Sequence, residues 1–523
     1  MGGGLLQLVA YGAQDAYLSG NPQITFWKGL YKRHTNFAME SFPITFSGQA
    51  AWNTKQSALL GRHADLLYST YLEVVLEAGL YNNDQGFLGF NLIKYTELEI
   101  GGQLIDRLYG EFLYLWSVLT NPFDKLIELN SMVSSGGFGS NKGASSGATT
   151  IGGQTVCGAF GGRPELPNSI LYIPLSFFYC RSPAAALPLI ALQYHEVRVN
   201  VHWNTPQLIS GDFSQKGLQT LPAQPRQVTL YVDYIYLDVE ERRRMAQESH
   251  EYLIEQTQFN EDKGITSYSN RIDLTFNHPV KELIWVVQPS YYTNCTLPRP
   301  EKLRPSVYTN KEDNTTNASF DVVATNGVYI SVVPYNSQPT GSGWLVGQSV
   351  TILGTELDGS SPANDCTFRV AVVDTFSGAI VSVTNITGVA SASNTPLQPR
   401  LTPFTFDQNA VYQQNLQING QDRMSLRYGD YFGKVQRFQH HTGGYGLIES
   451  SGVYSYSFAI RPEEHQPSGT CNFSRIDTAT LVINMSGAVD VGSNGNSWDV
   501  RVYAINYNIL RVMSGMAGLA YSN

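Results

Sequence analysis

The stretch LEIGGQLIDRLYGEF, residues 98–112, is answered 318 residues later by LQINGQDRMSLRYGDYF, residues 416–432. Leu98, Ile100, Gly102 and Gln103 match Leu416, Ile418, Gly420 and Gln421. Tyr109, Gly110 and Glu111 match Tyr428, Gly429 and Asp430, each with an aromatic residue behind. The glycines permit a tight turn, Leu98 and Ile100 alternate toward a core, and Tyr-Gly-acid opens the next element. Glu111 and Asp430 read as hydrogen-bonding turn residues, and Asp106 has no acidic counterpart in the second copy. The stretch is therefore one structural corner built twice, and it predicts two tandem copies of one domain. A fainter echo runs in the same order, EVRVNVHWN at 196–204 against DVRVYAINYN at 499–508.

The chain of 523 residues is too long for one ordinary core, which agrees with the repeat. It is poor in charge (15%) and rich in tyrosine (31) and phenylalanine (24), with 48 glycines and 24 prolines. That balance predicts short strands joined by turns, with uncharged aromatic surface buried between subunits. A net charge of −9 argues against coating a nucleic acid, and Arg242, Arg243 and Arg244 sit among Glu240, Glu241 and Glu248 as local ion pairs. Five widely spaced cysteines without a C-x-x-C imply neither a disulfide framework nor a zinc site. No signal peptide is visible, and no apolar run approaches the length that crosses a bilayer.

Strand alternation dominates, at Leu72-Val74-Leu76, at Val197-Val199-Val201 and across 229–234. Short helices are expected near 110–119, 122–129 and 240–250. Residues 136–162 are more than a third glycine and read as a long exposed loop; 205–226 read as polar linker. From 309 to 397 the composition shifts to Thr, Ser, Asn, Gly and Val, and the runs SFDVVATNGVYISVV, GQSVTILGT, CTFRVAVVD and AIVSVTN predict a small β module set into a loop of the second copy.

Tests for chemistry come back empty. In the run 137–143, Lys142 precedes its glycine and no Ser or Thr follows, so it is no phosphate loop. His195-Glu196 and His250-Glu251 lack the second histidine of a zinc protease, and no G-x-S-x-G elbow is present. Glycosidase chemistry would need two acids facing one cleft. No catalytic, metal-binding or cofactor-binding residue is assigned, and no cofactor is expected. Six sequons, at Asn294, Asn314, Asn317, Asn385, Asn472 and Asn484, are candidate glycosylation sites at about the number chance would place.

Four blocks then carry a resemblance across the chain: GAQDAYLSGNPQITFWKGLYKRHTNFAME (12–40), YIYLDVEERRRMAQESHEYLIEQ (234–256), NHPVKELIWVVQ (277–288) and YAINYNILRVMSGMAGLAYSN (503–523). In these the chain resembles the major capsid proteins of large icosahedral double-stranded DNA viruses, nearest those of chlorella and related algal viruses. The 309–397 module departs from that pattern. The resemblance implies an all-β fold of two tandem eight-stranded jelly rolls with short helical inserts. Its expected divisions are an N-terminal arm (1–25), a first roll (26–210), a linker (211–226) and a second roll (227–523) holding the module. It also implies a non-enzymatic subunit of the virion shell, three copies forming a nearly hexagonal capsomer, made and assembled in host cytoplasm. The implied partners are neighbouring capsomers, minor capsid and penton proteins, and an internal membrane near the N-terminal arm. Host-surface or glycan contact through 309–397 is a further expectation, with no direct contact to nucleic acid. The alternatives are a minor capsid or vertex protein with the same roll, expected to be pentameric or scarce, and a carbohydrate-active β-sandwich enzyme.

Overall fold

A computed structural model describes residues 10–24, 26–27, 33–81, 87–134, 149–151, 154–156, 165–166, 169–210, 222–290, 293, 301–308, 318–325, 328–334, 342, 344–353, 361, 363, 365–374, 379–389, 404, 410–443, 452–486 and 497–521. Most of the Gly-rich segment 136–162, part of the 205–226 linker, and Asn294, Asn314 and Asn317 lie outside the described residues.

The first eight-stranded unit comprises β1 (Phe37–Thr45), β2 (Lys55–Leu60), β3 (Leu66–Leu76), β4 (Ile93–Ile100), β5 (Gln103–Tyr109), β6 (Ser169–Pro174), β7 (Val197–Trp203) and β8 (Gln227–Leu237). Between β5 and β6 stand helices α1 (Gly110–Thr120) and α2 (Phe123–Val133). The strands form two antiparallel sheets in the orders β1-β8-β3-β6 and β2-β7-β4-β5, which is a jelly roll. Alternation drives the packing: Leu72, Val74 and Leu76 of β3 are almost wholly buried, while Tyr71, Glu73 and Val75 face outward.

Helix α3 (Val239–Gln247) leads to a second unit with β9 (His250–Ile265), β10 (Ser269–Asp273) and β11 (Pro279–Pro289). An inserted module follows: β12 (Glu301–Tyr308), β13 (Ala318–Thr325), β14 (Val328–Pro334), β15 (Ser349–Ile352), β16 (Cys366–Val373) and β17 (Ile380–Thr387). The roll resumes with β18 (Val411–Ile418), β19 (Gln421–Asp422), β20 (Arg427–Tyr428), α4 (Gln436–His440), β21 (Val453–Ser457), β22 (Ala479–Met485), β23 (Trp498–Met513) and β24 (Met516–Leu519). Its sheets, β9-β23-β11-β21 and β10-β22-β18-β19, repeat the order of the first roll strand for strand. The fold is a double jelly roll.

Two expectations need correction. Strand β8 pairs with both β1 and β3, so the first roll extends to Leu237 and residues 227–237 do not open the second. The junction is α3, whose Arg243 and Arg244 pair locally while Arg242 reaches Asp65 of the first roll. The fainter echo also fails as a repeat. EVRVNVHWN forms β7, between β2 and β4, whereas DVRVYAINYN lies in β23, between β9 and β11. The counterpart of β7 is β22; the similar strings reflect the alternation of apolar residues that each strand turns toward its own roll's core.

The module forms two three-stranded sheets, β12-β13-β14 and β15-β16-β17, over a core of its own that includes Phe320, Val322, Trp344, Phe368 and Ile380. It begins at Glu301, ahead of the expected 309, and lies in the connection from β11 to β18.

Candidate functional site

The duplicated corner is a two-residue hairpin in each roll. Gly101 and Gly102 join β4 to β5 with φ of 59° and 80°; Asn419 and Gly420 join β18 to β19 with 51° and 75°. Positive φ at both central positions matches the right-handed twist of the flanking strands, which is why Gly-Gly and Asn-Gly occur there. Gln103 pairs with Ile100, and Gln421 with Ile418. After Tyr109 and Tyr428 the chain crosses the start of its own hairpin. A Cβ on Gly110 would lie 2.1 Å from the Ile93 carbonyl oxygen, and one on Gly429 would lie 2.4 Å from that of Val411.

From there the copies diverge. Helix α1 is apolar on all sides, with Gly110 and Phe112 to Leu119 buried, because it lies between the rolls. It rests on the outer face of the sheet β9-β23-β11-β21. Ile284, Val286, Tyr503 and Ile505 of that face belong to the first roll's core, whereas Val502, Ala504 and Leu283, at alternate positions, belong to the second. Tyr109 lies 4.5 Å from Phe259 and 6.0 Å from Tyr503 by ring centroids, and Phe112 lies 5.5 Å from Tyr503.

Polar groups lock this seam. Arg501 donates from Nε and Nη2 to the two oxygens of Glu111, each at 2.7 Å, and its Nη2 also donates to Gln288 at 2.6 Å. Tyr503 donates its hydroxyl to Glu111 at 2.5 Å. Burial disfavours the Arg501 charge, but Glu111 more than offsets it and raises its pKa. Asp106 accepts from the backbone N–H of Thr257 across the seam and of Arg107 beside it, both at 2.9 Å. Burial nevertheless pushes its carboxyl up to about 7. Gln256 donates to the Ile105 carbonyl. Lys281, wholly buried, donates to Glu255 at 2.7 Å; Arg181 of the first roll pairs with the same carboxylate, and both cations stand over the Trp116 ring. Burial works to protonate Glu255, yet Arg181 and Lys281 outweigh it and lower its pKa. Glu111, Asp106 and Glu255 are thus committed to holding the two rolls together.

At the rim, Thr442 donates to the Thr120 carbonyl at the end of α1, 3.0 Å away. Its neighbour His441 is clamped: Nε2 faces Glu282 at 2.5 Å and Nδ1 faces Glu463 at 3.1 Å. Carboxylates only accept, so both ring nitrogens donate and the imidazole is charged. Burial opposes that charge, but Glu282 and Glu463 prevail and raise the pKa to about 9.

The second corner has no such cover: Tyr428 and Asp430 are exposed where Tyr109 and Glu111 are half-buried. Among the described residues Asp430 pairs with Lys434 alone, one turn along. Tyr412, Leu426, Tyr428, Val435 and Phe438 are all more than 40% exposed. The reciprocal face of the first roll is also open. Tyr71 and Tyr231 stack at 5.2 Å with Tyr172 edge-on, beside exposed Ile170 and Met39.

Among the candidate sequons, Asn385 is exposed on β17 at a left-handed φ of 53°. Asn472 is exposed, its side chain accepting from the Ser474 N–H. Asn484 is half-buried in β22, opposite Ser269 and Gln413. Cys180, Cys366 and Cys471 are free thiols, and among the described residues no group of His, Cys, Asp or Glu is arranged to hold a metal. No described helix is long and apolar enough to cross a membrane. A cavity of about 570 Å³ opens at the seam, but the acids on it are already engaged: Glu111 by Arg501, Glu261 by Lys263, and Asp499 by Ser290 and Gly264.

Sequence reasoning missed Arg501, Arg181, Lys281 and His441 as seam residues. The legible signal was parity, since Arg501 occupies a position in an alternating strand that should be apolar if buried.

Two family descriptions match the chain: "Major capsid protein N-terminus" over residues 25–238 and "Large eukaryotic DNA virus major capsid protein" over 241–518. The chain is 43% identical to the major capsid protein of Phaeocystis pouchetii virus and 33% identical to that of Paramecium bursaria Chlorella virus 1, each over the whole length of both proteins. Among solved structures it is similar to PBCV-1 VP54, as fitted into a reconstruction of the virophage Sputnik. Identity there is 30% and the TM-score 0.62, covering 95% of this chain and 100% of the other. The Faustovirus major capsid protein, 12% identical with a TM-score of 0.58 over 96% of this chain and 95% of its own, shares the fold. The chain belongs to the large eukaryotic DNA virus major capsid proteins, non-enzymatic double jelly-roll subunits of the virion shell.

Proposed function

We propose that three copies close head-to-tail into a ring with a nearly hexagonal outline, and that this capsomer is the unit that tiles the shell. One observation carries the reading. Among the described residues, the corner and helix of the first roll cover the outer sheet face of the second, while nothing covers the second roll's corner or the first roll's sheet face in the same way. Two complementary, unlike surfaces on one molecule generate a ring when the rotation closes. Six similar rolls close it at three chains. Light scattering on purified protein is expected to give the mass of a trimer; a monomer or a pentamer overturns the reading, the pentamer in favour of a vertex protein.

Finer roles follow from placement. Tyr17, Leu18, Phe26 and Trp27 of the N-terminal region are each more than 85% exposed, which suits apposition to minor capsid proteins and an internal membrane. Neighbouring capsomers and penton proteins meet the outer edges of the ring. The module, with its separate core, serves as a cap that contacts host surface or glycans, and Asn385 is the best-placed described sequon for a sugar. Assembly takes place in host cytoplasm. Deleting the whole module, residues 301–397, should leave trimers intact; loss of the trimer would end the cap assignment.

A further inference from the structure

We infer that β1 of each subunit docks edge-on against the β19–β20 segment of the next, and that this contact completes an interrupted strand. The inference rests on the trimer reading and names the surfaces it uses.

The intrachain seam supplies the template. There β5 runs unbroken from Gln103 to Tyr109 and meets β9, whose residues Ile254 to Thr257 are buried. The two edges are joined through side chains, Asp106 accepting from the Thr257 N–H and Gln256 donating to the Ile105 carbonyl. In the second roll the strand matching β5 is broken, with β19 ending at Asp422 and β20 starting at Arg427. In the first roll β1, the strand matching β9, is exposed from Phe37 to Ser41. Both halves of the seam therefore recur, each without its partner.

Register can be assigned. Counting back from the shared Tyr-Gly, Ser425 stands where Asp106 does. Tyr503 pairs with Ile284 and Tyr231 with Tyr71, each five residues before the end of an eleven-residue strand, so Tyr231 is the counterpart of Tyr503. Their partners on the first strands are Phe259 and Pro43, which makes Ser41 the counterpart of Thr257. Ser41 of one subunit thus faces Ser425 of the next, with Tyr428 lying over the half-buried Tyr71–Tyr231 stack. The occupant is a second copy, because the chain itself already shows which strand this edge accepts. Pro43 and Glu40 on β1 discourage unselective pairing of the bare edge.

The double variant Ser41→Cys with Ser425→Cys tests the contact under mild oxidation. The expected result is disulfide-linked dimers and trimers, with mass spectrometry locating both introduced thiols in one cross-linked peptide. Hydrogen exchange on the unaltered protein should show amides of 37–42 and 423–428 exchanging roughly tenfold or more slowly in the trimer than in a Tyr428→Asp variant, which light scattering should report as monomeric. Tyr428 is 59% exposed, so circular dichroism should show that variant folded. A trimer without cross-link and without protection overturns this contact and leaves the trimer standing; a monomeric parent protein overturns both.

Discussion

Glu111 and Asp430 follow the same Tyr-Gly in the same corner, yet the Glu111 side chain is 14% exposed and that of Asp430 70%. The first closes a bidentate pair with Arg501 on the other roll; the second reaches, among the described residues, only the lysine one turn on. Local sequence built both corners alike, and what lies over each corner determined what its acid does. At the position of Arg501 the first roll carries Thr229, by the same counting that pairs Tyr231 with Tyr503. In the proposed contact between subunits the buried ion pair that fastens the contact within a chain therefore has no counterpart, and capsomers should separate into subunits before the rolls part.

That contrast can be broken. Glu111→Ala leaves Arg501 buried without its carboxylate and should cost about 3–5 kcal/mol, read from urea unfolding of the isolated subunit. A loss below about 1 kcal/mol would mean that the seam is held by its apolar contacts alone. The His441 clamp comes next. Its pKa is raised from 6.5 to about 9, so its contribution is complete below pH 6.5 and disappears as pH rises through about 9. About 3 kcal/mol should be lost across that window, and in His441→Gln the same titration should be nearly flat. Gly110→Ala and Gly429→Ala each drive a Cβ into a backbone carbonyl and should cost about 1–3 kcal/mol in both rolls alike, measured by thermal melting. Gly102→Ala and Gly420→Ala meet no neighbour, only left-handed strain of about 1–2 kcal/mol. Smallest of all, Asp430→Ala should leave the unfolding midpoint of the isolated subunit unchanged; a clear drop would show that the second corner is not idle.

Much of this was legible in the residues. The Gly-Gly and Asn-Gly turns, the helix after Tyr109-Gly110 and the module's alternation all depend on near neighbours in the chain, and they stand where the pattern puts them. The assignment of 227–237 failed because an alternating apolar strand looks the same in either roll; only its pairing with β1 and β3 places it. The echo of 196–204 in 499–508 failed for the same reason, since alternation records burial and not position in a sheet. The seam was least legible. Arg501 and Glu111 lie 390 residues apart, and Lys281 and His441 reveal their roles only when strands from distant segments bring Glu255, Glu282 and Glu463 against them.

The inserted module closes six strands over its own core and joins the roll at both ends of one connection, between β11 and β18. Lengthening such a connection raises the entropy of closure only logarithmically. Mutations inside it have one fold to satisfy, and the parts that set lattice geometry do not feel them. It can therefore drift, be exchanged between lineages or be lost as a cassette at a pace of its own, while the rolls beneath stay under the constraint of tiling.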